Sequence, residues 1–409
     1  MNLLHLVFWL SVLVVIYSYV GYGVVIYALA RIRPRPHIRG PVRPKVSLII
    51  AAYNEEQVIR EKIVNSLCQT YPSELLEIIV VSDGSTDDTP DIVREYRYQG
   101  VVSLHQPRRM GKTAAVQRAV EQAEGEVLVF SDANSMYAAD AVERLVANFA
   151  DPEVGCVAGE KRVRSQEGTG VAKEAGLYWR YESFLKRMDS TVHSVVGAAG
   201  EIFAVRRSAF KPVETDSFIE DFVMSMRIAE AGNRVVYEPK AVSVEEAPAS
   251  ADDEFERRAR ISAGGFQSIV RLRSLLVSRD RLLVFQYLSH RVLRWAVVPF
   301  LLPVLMVTNV ALVGDSFYMA LLGVQVGLLG MAMAGWIMQR RGVRSLRVVQ
   351  VPFYFFMLNL AALVGFHRYV SRRQKVTWKR TSRQPAYGEA SLPTAVQGAV
   401  MQRGAGQKQ

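Results

Sequence analysis

Three carboxylates each end or follow an apolar run: Asp83 within Val81-Ser82-Asp83-Gly84-Ser85, Asp132 within Phe130-Ser131-Asp132-Ala133-Asn134, and Asp221 after Ile219-Glu220. Carboxylates at the carboxyl ends of parallel strands converge where open α/β sheets bind ligands, and the chemistry such a group suits is nucleotide and metal binding. Singly, Asp83-Gly84 reads as a turn and Asp132 as a helix cap. Their joint occurrence, in order and with matching strands, favours one shared ligand site, and so an enzyme over a scaffold. Gly111-Lys112-Thr113 looks like the end of a P-loop, but that motif needs a glycine five positions before Gly111, where Gln106 stands. Arg108, Arg109 and Lys112 remain as cations for a diphosphate.

The elements that must position these groups follow from hydrophobic spacing. Apolar runs at Val46 to Ala52, Ile78 to Ser82, Val101 to Leu104 and Glu126 to Ser131 alternate with helical patterns at Glu55 to Leu67 and Lys112 to Ala123. Thr89-Pro90-Asp91 reads as an N-cap, a proline at the first helical position and an acid in the first turn. Strands alternating with helices imply a parallel sheet with right-handed crossovers. All its strands then end on one side, and Tyr53-Asn54-Glu55, Asp83 and Asp132 share that edge.

The flanks are of another kind. Half of the 409 residues are hydrophobic, and Leu3 to Ala30 holds no charge apart from His5, enough to cross a bilayer. Arg31, Arg33 and Arg35 follow it, which reads as a signal anchor with its N-terminus outside and the middle of the chain in the cytosol. Further apolar stretches run over Trp295 to Val313, Phe317 to Met338 and Val351 to Val370. Four full crossings would put the basic segment Arg368 to Arg383 outside, against the charge rule. The last stretch, with Pro352, Asn359 and His367, is therefore the best candidate for a re-entrant or interfacial segment. Between Arg258 and Arg294 basic and apolar residues mix, as in helices lying on a membrane face or packed on a soluble domain. The net charge of +11 is read as contact with anionic membrane lipids, since no zinc-finger or RNA-binding motif supports nucleic acid. Two cysteines, Cys68 and Cys156, argue against a disulfide framework.

Six stretches, in order, resemble the family 2 glycosyltransferases of GT-A fold, in particular the membrane-embedded branch with cellulose and hyaluronan synthases. They are Val46 to Glu55, Val81 to Asp87, Gly111-Lys112, Ser131 to Asn134, Glu220-Asp221 and Arg257 to Ile261. The resemblance implies an α/β GT-A domain flanked by membrane helices. The divisions expected are 1–30 (anchor), 44–250 (catalytic domain), 251–294 (interfacial helices), 295–370 (membrane region) and 371–409 (basic, partly disordered tail).

By the same resemblance Tyr53, Glu55 and Asp83 contact the nucleoside of a nucleotide sugar, with uridine diphosphate the expected carrier. Lys112, Arg258 and Arg260 hold the diphosphate, Asp132 with Asn134 holds a divalent metal (Mn2+ or Mg2+), and Asp221 is the catalytic base of one inverting displacement. Gly197 and Gly200 lie where the acceptor approaches, or simply form a turn. Two departures matter. Asn134 replaces the usual second aspartate, and Ile261 replaces the tryptophan of the acceptor-binding part of processive synthases. The expected activity is transfer from a nucleotide-diphosphate donor to a lipid-linked or growing polysaccharide acceptor at the cytosolic membrane face, with a partner subunit as an option. The alternatives are single addition to a lipid, or an inactive glycan-binding or translocating subunit.

Overall fold

The computed structural model describes residues 2–164, 170–246, 250–341 and 347–376. The basic tail beyond 376 and the centre of the basic loop after Arg340 lie outside the described residues. The chain opens with one apolar helix, α1 (Leu3–Ile32). It then runs through β1 (Val46–Ala52), α2 (Ile59–Leu67), β2 (Leu76–Asp83), α3 (Thr89–Glu95), β3 (Val101–Gln106), α4 (Lys112–Gln122), β4 (Val127–Asp132) and β5 (Met136–Tyr137). The domain is completed by α5 (Ala141–Val146), β6 (Val154–Arg164), α6 (Gly170–Val192), β7 (Phe203–Arg206), α7 (Glu220–Glu230) and β8 (Arg234–Glu246).

All eight strands form one sheet in the order β3-β2-β1-β4-β7-β6-β8-β5. β1 pairs in parallel with β2 and β4, and β2 with β3, as the strand and helix alternation demands. β7 and β5 run antiparallel to their neighbours. Every residue of β1 is buried, because helices cover both faces of the sheet. Ile49, Val81 and Phe130 point to the face covered by α4 and α7. Leu48, Ile50 and Val129 point to the other face, covered by α2 and α5.

Two local expectations shift. Helix α2 starts at Ile59 rather than Glu55, because the amides of Glu55 and Glu56 are taken by Thr89 Oγ1 (2.8 Å) and Asp87 Oδ2 (3.2 Å). Thr89 is therefore not a cap: α3 begins with it, and Asp88 occupies the N-cap position.

After the sheet come α8 (Ala251–Arg271), α9 (Arg281–Ala311), α10 (Ser316–Arg340) and α11 (Arg347–Val370). Helices α1, α9, α10 and most of α11 are long and apolar enough to cross a membrane. The expected boundary at residue 294 is not a break, since α9 is helical from Arg281 and passes through a π-helical stretch at Leu288–Val297.

Helix α10 starts against the beginning of α1, where the Tyr318 ring lies 5.2 Å from that of Phe8, and ends with Arg340 3.7 Å from Asp252 on α8. Helix α11 ends with Arg368 bonded to Glu256, one turn along the same α8. The chain thus enters and leaves α11 on the side of the catalytic domain. After α11, Arg373, Gln374 and Lys375 reach the wall of the central cavity.

Candidate active site

Parallel pairing aligns Ala51 with Asp132 and Ala52 with Ser82, so the ends of β1, β2 and β4 make one edge. A cavity of about 990 Å³ opens there and runs toward the membrane helices. Tyr53, Glu55, Lys112, Asp132, Asn134, Gly197, Gly200, Asp221, Arg258 and Arg260 all line it, although they come from segments spread over two hundred residues of chain.

Asp83 is the exception. It sits at the expected edge, but its side chain is 2% exposed and accepts hydrogen bonds from the backbone amides of Met110 (3.0 Å) and Gly111 (2.6 Å). The carboxylate fastens the loop before α4 and is not part of the cavity wall. The expectation that three carboxylates share one cleft is corrected to Asp132 and Asp221. Two unpaired loop amides and a nearby carboxylate satisfy one another, which a buried charge requires.

Lys112, the first residue of α4, projects into the gap between the two remaining acids. Its Nζ lies 2.7 Å from Asp132 Oδ1 and 3.0 Å from Glu220 Oε1. Burial works against its charge, but Asp132, Glu220 and Asp221 outweigh that effect and raise its pKa well above the usual lysine range. The ammonium is therefore a fixed cation at the sheet edge.

Asp221 stands in the first turn of α7. Burial raises its pKa most, Glu220 adds to this and Lys112 opposes it, leaving the carboxyl pushed up to about 7. A carboxyl poised near neutrality is what a general base needs. Gly200 gives it room: a Cβ there would lie 3.2 Å from Asp221 Oδ2 and 3.1 Å from Lys112 Nζ. Gly197 has another reason to be glycine. Its φ is +91°, and a Cβ would meet the Phe222 ring at 2.2 Å, so the turn needs glycine to let α7 pack.

The arginines divide. Arg260 faces the cavity with no protein partner among the described residues, and so keeps its guanidinium for an anion. Arg258 is buried: its Nε donates to Glu254 (2.7 Å) and its Nη2 to the Tyr354 hydroxyl (3.0 Å), tying α8 to α11. Arg258 thus bridges the two helices from a place on the cavity wall. Arg257 instead donates to Glu201 (2.8 Å). Tyr53 is covered by the Arg109 guanidinium, 3.4 Å from the ring centroid.

Among the described residues no three His, Cys, Asp or Glu side chains form a metal cage. Asp132, 30% exposed, and the Asn134 amide offer oxygen donors on one cavity wall. That donor set fits a hard divalent cation that takes its other ligands from phosphate oxygens and water.

Sequence reasoning missed the deeper half of the cavity. Glu201 is bonded to Lys161 and Arg257, which hold its pKa well below the usual carboxylate range against the effect of burial. Beyond the 197–201 turn, Trp179, Glu182 and Lys186 of α6 face His290, Arg291 and Trp295 of α9. No sequence signal marked this half, because the charges of the amphipathic α6 read as a solvated face. Trp295 packs edge-on to Phe222 (5.1 Å), which links the membrane helix to the helix that carries Asp221.

The family model described as glycosyl transferase family 2 matches residues 47–213. Poly-beta-1,6-N-acetyl-D-glucosamine synthases of Staphylococcus aureus (strain COL) and Staphylococcus epidermidis are each 27% identical to this chain, over 244 and 233 residues. Those matches cover 58% and 55% of this chain, and the chain spans only 58% and 56% of the length of these relatives. A mannosyltransferase from Pyrobaculum calidifontis, solved with GDP-Man and Mn2+, superposes with a TM-score of 0.71 over 90% of this chain and all of that one, at 22% identity. Residues 47–213 thus match the family 2 glycosyltransferase model, and the chain shares the GT-A fold of that mannosyltransferase.

Proposed function

We propose that this chain is a membrane-bound inverting glycosyltransferase that moves a sugar from a nucleotide-diphosphate donor to a polysaccharide or lipid-linked acceptor. The observation that carries the reading is the single cavity in which Asp221 faces the Lys112 and Asp132 pair across the Gly200 backbone. The named synthases make a polymer of N-acetylglucosamine, and the structural neighbour binds GDP-Man; both support a sugar-nucleotide donor here. A uridine carrier remains the donor of choice.

In this reading Tyr53 and Glu55 receive the nucleoside, while Lys112 and Arg260 meet the diphosphate. Asp221 takes the proton of the acceptor hydroxyl as that oxygen attacks the anomeric carbon. The bond from that carbon to the diphosphate oxygen breaks, and the electron pair leaves with the nucleoside diphosphate toward the cations. Asp132 and Asn134 would hold a divalent cation, Mn2+ or Mg2+, whose chemistry is to neutralise charge on the diphosphate.

In this reading α1, α9 and α10 cross the membrane and α11 lies in the interface, with the catalytic domain on the cytosolic side, which the positive flanks support. Single addition to a lipid is the second reading, favoured by Ile261 in the cavity wall where a processive enzyme has tryptophan. Incubating the purified protein with a panel of nucleotide sugars, with and without Mn2+ or Mg2+, tests both. Release of nucleoside diphosphate with a ladder of oligosaccharides supports polymerisation, one added sugar supports the second reading, and no release from any donor contradicts the enzyme assignment.

A further inference from the structure

Lys186 is 5% exposed and lines the deeper arm of the cavity, yet no hydrogen bond or ion pair within the protein engages its ammonium among the described residues. The centroid of the Tyr237 ring lies 5.9 Å from its Nζ. A buried ammonium without a partner is costly, and proteins ordinarily pair it.

The carboxylates around it are already committed. Glu182, one turn earlier on α6, is taken by Arg294 (2.6 Å), Arg291 (3.2 Å) and the ring of His290 (3.5 Å). Glu160 accepts from Ser183 Oγ (2.9 Å) and from the Tyr237 hydroxyl. Glu201 is held by Lys161 and Arg257, and Asp189 by His290, Gln286 and Tyr22. Arg291 spends Nε on the Val196 carbonyl (3.2 Å) and Nη1 on Glu182, which leaves Nη2 without a protein partner among the described residues. Burial lowers the Lys186 pKa most, Glu160 opposes this and Arg291 adds to it, so the two cations are near enough to repel.

Two neighbouring cations with donors left over, at the wall of one cavity, make an anion site. The donor diphosphate has its own cations at the sheet edge, Lys112 and Arg260. The arm lies past the 197–201 turn and continues to Tyr19 of α1 and Asn359 of α11, at the membrane helices. We infer that Lys186 and Arg291 bind an anionic oxygen group, a phosphate or a carboxylate, carried by the acceptor. This rests on the glycosyltransferase reading and names the acceptor's chemical class. Trp295, its ring 5.8 Å from the Arg291 guanidinium, gives a sugar ring its flat contact.

The test uses the full chain in nanodiscs of zwitterionic phosphatidylcholine and two pairs of probes. These are dodecyl phosphate against dodecanol, and octyl glucuronide against octyl glucoside. At least one anionic probe is expected to bind roughly 10- to 100-fold more tightly than its neutral counterpart. Lys186→Met should abolish that preference, and Lys186→Arg should retain most of it. A phosphate preference identifies a lipid-borne phosphate, and a glucuronide preference an acidic sugar. Thermal melting reports folding, and Lys186→Met should melt no lower than wild type because it removes an unpaired buried charge. No anion preference in wild type, an unchanged preference in Lys186→Met, or a lowered melting point with equal loss of both members of a pair overturns the inference. Absence of nucleotide release from every donor would instead defeat the glycosyltransferase reading and leave the anion measurement standing.

Discussion

Lys112 Nζ lies 2.7 Å from Asp132 Oδ1, so the cation at the start of α4 and the acid at the end of β4 hold each other across the sheet edge. In the proposed function both stand where the donor diphosphate binds. Their pairing keeps a buried ammonium charged in the free protein, and a phosphate oxygen can replace or share Asp132 without leaving either group unsatisfied.

Removing either partner should therefore act on donor binding. Lys112→Met is expected to weaken nucleotide-sugar affinity roughly 10- to 100-fold, the worth of one or two charge-assisted hydrogen bonds. Asp132→Ala should remove the effect of divalent metal on donor affinity. Titration with donor, in the presence of metal and then of chelator, checks both. A wild-type protein whose donor affinity ignores the chelator contradicts the role given to Asp132 and Asn134.

The raised pKa of Asp221 makes activity depend on pH with a fixed sign. The base works only when ionised, so kcat/KM should fall about tenfold per pH unit below about 7 and level off above it. Glu220 contributes to that rise, so Glu220→Gln should move the midpoint to lower pH. A midpoint that stays in place, or moves up, contradicts the pairing of the two acids.

Gly197 and Gly200 should separate stability from activity. Gly197→Ala drives a Cβ into Phe222 at a positive φ and should cost about 1 to 3 kcal/mol or more of stability, read by thermal unfolding. Gly200→Ala meets only the ends of Lys112 and Asp221, so it should lower turnover while the unfolding midpoint stays near wild type.

The path of α11 makes a prediction about sidedness. In a Cys68→Ser background, single cysteines at Tyr98, Arg341 and Ser371 should label from one side of the membrane, and one at Asp315 from the other. Labelling of Ser371→Cys together with Asp315→Cys means that α11 crosses.

Much of this was readable from spacing. The almost wholly apolar β1 and the alternation through β4 follow from burial on both faces, and they alone fix the edge at which Tyr53, Asp132 and Lys112 meet. Asp83 was misplaced because sequence shows where a carboxylate stands but not which loop folds back on it, here Met110-Gly111. The bridge from Arg258 was equally illegible, since its partner Tyr354 is nearly a hundred residues away. Lys186, Glu182 and Arg291 gave no pattern at all. Scattered charges on amphipathic helices resemble a solvated face until α6 and α9 are packed together.

The central claim is that Asp221 removes the acceptor proton at a site other groups have loaded with donor. The direct test compares wild type with Asp221→Asn using one nucleotide sugar that wild type turns over, measuring donor affinity by titration and transfer by product formed. The account predicts nearly equal affinity and a loss of transfer of about 100- to 10,000-fold. Transfer by Asp221→Asn at the wild-type rate would contradict it.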